Sequence, residues 1–230
     1  VLRLIGFFVL VMVVLQVLRF VPFLGPLFQI PFFGFWIAAI LCSALISKIA
    51  SDAVDRRRFK NRERDLAAVD TPHNQGKLGL LLLTSGRARA AIEPLRRASQ
   101  GEPRSADWAY RLGCALLESG RASEAVVELR RAAERDEEHA YGAVQLRLAE
   151  ALQAAGEPEA ALVAIDLFQR NHGDNPESAY RRGSVLKALG RKNEAARSFA
   201  RVSELAHSSA RFQKSAARGW AWRAFWARLT

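Results

Sequence analysis

Two patterns of hydrophobic and polar positions divide this chain. Up to Ala50 apolar side chains follow one another almost without a break, and the rest alternates apolar and charged positions with helical spacing. Leu2 to Val21 is interrupted only by Arg3, Gly6, Gln16 and Arg19. At ~1.5 Å per residue it reaches roughly 30 Å, the thickness of a hydrocarbon core. Pro22, Gly25, Pro26 and Pro31 then break the helix, and Phe32 to Ile49 supplies a second run of similar reach. The pattern predicts a two-helix transmembrane hairpin over residues 1–50; a single span followed by a re-entrant segment is the alternative. Phe20, Phe23, Phe28, Phe32, Phe33 and Trp36 would form an aromatic belt at the turn.

Charge refines this picture. The net +11 is uneven: residues 1–65 carry 9 bases and 4 acids, residues 66–207 carry 20 and 19, and residues 208–230 carry 5 and none. A nucleic-acid binder needs a phosphate-tracking basic face on its main domain, and that domain is nearly neutral. The first excess follows the second apolar run as Lys48, Arg56, Arg57, Arg58, Lys60, Arg62 and Arg64, against Arg19 alone near the turn. By the positive-inside rule both termini face the cytoplasm. This predicts a basic juxtamembrane helix or linker over 51–71, whose Arg56, Arg57, Arg58 and Lys60 lie at the membrane surface, in an integral membrane protein of the inner membrane if bacterial.

The second half repeats itself. GRARAAIEPLRRA (86–98), GRASEAVVELRRA (120–132), GEPEAALVAIDLF (156–168) and GRKNEAARSFARV (190–202) begin 34, 36 and 34 residues apart. Seven positions before each opening glycine stands a small residue, Gly79, Gly113, Ala149 or Gly183. Further on, Ala91, Ala125, Ala161 and Ala195 are followed four later by Leu95, Leu129, Ile165 and Phe199. Small residues let two helices cross closely while bulky ones fill the space between pairs. This arrangement resembles the tetratricopeptide-repeat family, whose unit is a helix, a turn and a second helix. The second copy departs from it, with Glu137 where a terminal proline is expected.

The resemblance implies an all-α fold: an α-solenoid of about four helix pairs over 72–209, with a concave groove lined by the first helix of each pair. By family register Leu80, Tyr110, Leu117, Leu146, Glu150, Tyr180 and Ser184 face that groove, beside a base in every repeat, Lys77, Arg111, Arg147 and Arg181. Those bases either meet an acidic protein or peptide partner or pair internally with Asp107, Glu118, Glu150 or Glu177. The fixed Lys/Asn set of members that clamp a C-terminal carboxylate is not reproduced.

Residues 210–230 form a basic aromatic C-terminal helix. Trp222, Phe225, Trp226 and Leu229 share one face while Trp220 points elsewhere. Its first half reads as the cap a repeat stack needs, and Trp222, Phe225 and Trp226 read as contacts with a membrane surface.

No phosphate-binding glycine loop, metal-ligand pair or activated nucleophile is visible, so no enzyme activity and no cofactor are expected. His73, His139, His172 and His207 fall at repeat junctions, and Cys42 and Cys114 have no disulfide or metal spacing. The reading is a membrane-anchored adaptor or scaffold whose groove binds protein partners at the cytoplasmic face, with oligomerisation open. A membrane-remodelling or lipid-sensing protein, or an accessory subunit of a membrane enzyme complex, are the alternatives.

Overall fold

Residues 32–229 are described by the structure, a computed structural model. The predicted first span, Leu2–Val21, and the proline-rich turn lie outside them. The described residues hold ten helices and no strand. The chain divides into two compact units, residues 1–64 and 65–230.

α1 (Phe32–Ala68), most of which belongs to the first unit, is one unbroken helix of 37 residues. The second apolar run and the basic stretch, read in the sequence as separate segments, therefore share a helix. Among the described residues no helix is long and apolar enough to cross a membrane, so the predicted transmembrane hairpin has no support there. Ile40, Leu45, Ile46 and Ile49 are nevertheless exposed on α1, as are Arg56, Arg57, Arg58 and Lys60.

The second unit stacks four antiparallel pairs and one further helix. The pairs are α2 (Pro72–Thr84) with α3 (Ala88–Gly101), α4 (Ala106–Glu118) with α5 (Ala122–Arg135), α6 (Ala143–Ala154) with α7 (Pro158–His172), and α8 (Pro176–Ala188) with α9 (Lys192–Ser208). The last helix, α10 (Lys214–Leu229), packs on α9 and α8. Three of the four first helices start at side-chain caps: Thr71 and Ser105 accept from the backbone of Asn74 and Trp108, and Asn175 forms a capping box with Ser178, while α6 starts at Gly142 with no side-chain cap. Pro72 and Pro176 follow two of these caps, where a missing backbone donor costs nothing.

One turn joins the helices within every pair. In the second, Gly120 is left-handed at φ +85° while the next amide, Arg121 N–H, donates to the Leu116 carbonyl at 2.9 Å. An L side chain rarely adopts that conformation, and Gly86, Gly156 and Gly190 repeat it. Beyond the turn the helices cross at the small residues. A methyl on Gly113 would stand 2.5 Å from the Leu129 side chain, one on Gly183 would stand 2.6 Å from Phe199, and one on Gly79 would collide with Leu95. Ala91, Ala125, Ala161 and Ala195 are buried on the partner helices, together with Leu95, Leu129, Ile165 and Phe199.

The wider spacing between the second and third pairs has a local cause. Ala140, Tyr141 and Gly142 are all left-handed, at φ 54°, 57° and 73°, so the extra residues form an irregular loop instead of lengthening a helix. Two of these residues carry a β-carbon, and the conformation costs each of them energy.

Candidate partner-binding groove

The curvature of the stack follows from which helices approach each other. α2 approaches α4, α4 approaches α6, and α6 approaches α8; no comparable approach joins α3, α5, α7 and α9 among the described residues. A two-layered stack drawn together on one side curves toward that side, so the first helices line the concave face.

Leu80, Tyr110 and Leu117 are half-buried on these helices and Lys77 is exposed. Leu146 differs: at 4% exposure it belongs to the core and offers a partner almost no surface. The reason is the tight approach of α4, α6 and α8, which closes the third pair's apolar positions more than family register implies.

The row of bases is largely satisfied from within. Arg111 Nε donates to Asp107 at 2.7 Å. The Glu150 carboxylate bridges Arg147 at 2.9 Å and Arg181 at 2.8 Å, and Arg181 also meets Glu177 at 2.7 Å. Arg181 is itself buried, where a guanidinium without these carboxylates would be costly. Gln153 Nε2 donates to Ser184 Oγ at 3.0 Å, a second link from α6 to α8. No buried side-chain polar atom among the described residues lacks a partner. Of the two readings of these bases, internal pairing holds for Arg111, Arg147 and Arg181.

Two further parts of the chain cover the inner face locally. From the loop before α6, His139 reaches Asp107 at 3.4 Å and sets its ring edge on Tyr110 at 5.1 Å. At the fourth pair, Tyr180 lies between Phe199 and Trp220, Arg181 stacks on Trp220 at 5.7 Å, and Lys187 Nζ donates to the Ala227 carbonyl at 2.9 Å. Tyr180 and Arg181 thus seat the end helix, and the open stretch of the groove belongs to the earlier pairs. Burial, then the neighbouring Cys114, push the Tyr110 hydroxyl up to about 12. Burial likewise pushes the Cys114 thiol up to about 11, against the opposing pull of Arg147.

Sequence reasoning missed Trp108. Its indole Nε1 donates to Glu102 at 2.8 Å, and its ring fills the space where a methyl on Gly76 would come within 2.6 Å. This joins the first pair to the second. The only available signal was a tryptophan in an amphipathic helix, since a buried face gains most from its area. The role of His139 was equally hidden, although the 36-residue spacing marked the loop as irregular.

A curved stack of helix pairs with a self-paired, half-buried inner face defines the class, an α-solenoid built for extended contacts. A family described as tetratricopeptide repeat matches residues 82–143. That match runs from the end of α2 through α5, and over those residues the chain carries tetratricopeptide repeats.

Solved structures carry the same fold. MamA 41-end from Desulfovibrio magneticus RS-1 is 18% identical, with 72% of this chain and 96% of that one aligned at a TM-score of 0.60. The thermophilic TPR protein TTC0263 of Thermus thermophilus is 19% identical over 79% of this chain and 95% of its own, at 0.58. A crystal structure of MamA is 22% identical over 61% and 82%, at 0.54. At these identities the likeness is one of fold. No curated protein matches the chain.

Proposed function

We propose that the protein is a scaffold that holds a protein partner in the concave groove of its first three helix pairs and is tethered to a membrane by its N-terminal apolar segments. The observation that carries the groove reading is the half-buried series Leu80, Tyr110 and Leu117 on the concave face, with the neighbouring Arg111 and Arg147 already neutralised. A surface of this kind gains affinity by burying apolar area, with the ion pairs fixing its shape. The partner is recognised more by apolar side chains than by acidity, and Lys77 is the base of the row left exposed. The tether rests on the near-absence of charge from Val1 to Ala50 and on the exposed Ile40, Leu45, Ile46 and Ile49 of α1, which lipid would cover. The bases after Lys48 favour a cytoplasmic position for the repeats.

Site-specific photo-crosslinking in the intact chain tests the groove. A crosslinker at Leu80 or Leu117 is expected to capture a discrete partner that the same group at Val127 or Val163, exposed on the second-helix layer, does not. Equal capture from both layers overturns the reading. Carbonate washing of membranes tests the tether, which fails if the protein is released.

A further inference from the structure

α10 takes the place that the first helix of a fifth pair would occupy, against α9 and α8. It buries Ala217 and Ala224 there and packs Trp220 into the same cluster. Its opposite face is open: Trp222 is 64% exposed, Phe225 53% and Trp226 51%. The three rings support one another, with centroids 5.7 to 6.2 Å apart. At about 100° per residue, Lys214 and Arg218 fall on this face one to two turns before the rings. With Arg211 they line an open cleft at the start of the helix, and none of the three has an ion pair among the described residues.

We propose that the outer face of α10 docks on an anionic lipid surface, its bases against headgroup phosphates and its aromatic triad at the headgroup level. Charge complementarity selects this occupant. Lys214 and Arg218 lie on this face, and residues 208–230 hold no acid to offset their attraction to a negatively charged sheet. Tryptophan suits the boundary because its ring is apolar while its N–H keeps a hydrogen bond to the wet side. A second copy meeting through this face in a two-fold arrangement would set bases against bases. The inference leans on the proposed tether only for bringing the chain to a bilayer, and it is independent of the groove.

The test uses the full chain reconstituted in vesicles whose acyl chains carry bromine, which quenches indoles at contact depth. The difference in emission between the chain and its Trp222→Phe/Trp226→Phe form isolates these two indoles, since phenylalanine keeps the face apolar. Their quenching is expected to be roughly twofold or more greater with phosphatidylglycerol than in pure phosphatidylcholine, and to fall as salt rises. The Arg211→Glu/Lys214→Glu/Arg218→Glu form should lose that excess while its circular dichroism is unchanged. Equal quenching in the two lipids, or none in either, overturns the proposal. So does quenching-free emission that changes with protein density, which would place a second copy on the face. Because the groove is untouched, crosslinking from Leu80 and Leu117 should persist whichever result is obtained.

Discussion

The inner face of the stack and the outer face of α10 are both rich in arginine and aromatic residues, and they differ in what those residues touch. On the inner face Arg111, Arg147 and Arg181 are tied to Asp107, Glu150 and Glu177, and Trp108 is buried between pairs. On α10 the bases Lys214 and Arg218 have no acid to meet, and Trp222 stands 64% exposed. The carboxylates beside the inner-face bases neutralise them, and residues 208–230, which hold no acid, leave theirs available. Availability is set by neighbours, and a count of bases does not reveal it.

The two tryptophans sharpen this contrast most. Trp108→Ala should cost about 3–5 kcal/mol, because it leaves a cavity between the first two pairs. Trp222→Ala should cost less than about 1.5 kcal/mol, since it removes only the ring contacts with Phe225 and Trp226 on an exposed face. Urea denaturation of each variant measures both, and similar losses would erase the distinction. Next in size is Glu150→Ala, which strips Arg147 and Arg181 of their shared carboxylate. The expected loss is about 1–2 kcal/mol, below the figure for a fully buried pair because Glu150 is partly solvated. Lys214→Ala should be near neutral in the same assay.

Alkaline pH gives a smaller effect on the same wall. Cys114 rises from 9.0 to about 11 and Tyr110 from 10.0 to about 12 in the folded protein. Both are acids that the folded state holds protonated to higher pH, so the unfolded chain releases its protons first. Stability should therefore be unaffected below about pH 9 and decline as pH climbs toward 12. Urea midpoints between pH 8 and 11 should fall less in a Cys114→Ala/Tyr110→Phe form. A thiol reagent near pH 8 should leave buried Cys114 unmodified until urea unfolds the repeats.

Much of the fold was legible because its contacts are local and recur. The glycine of each turn and the small residue seven positions earlier stand at a steady spacing, since each pair solves the same packing problem. The groove was legible less evenly. Leu80, Tyr110 and Leu117 stand half-open on the concave face, whereas Leu146 is in the core and Tyr180 and Arg181 hold Trp220. Tyr110, Leu146 and Tyr180 each stand ten positions before their turn glycine, yet what covers each of them differs.

By itself the sequence determined the helix pairs, their turns, the crossing points and the uneven distribution of charge, all consequences of residue size, backbone freedom and short-range spacing. Only the tertiary structure decided which bases are neutralised, how the loop at Ala140 and Tyr141 lays His139 over Tyr110, and which face of α10 is left open. Those outcomes depend on side chains from different repeats meeting in space, and a pairing between Glu150 and Arg181 leaves no periodic trace along the chain.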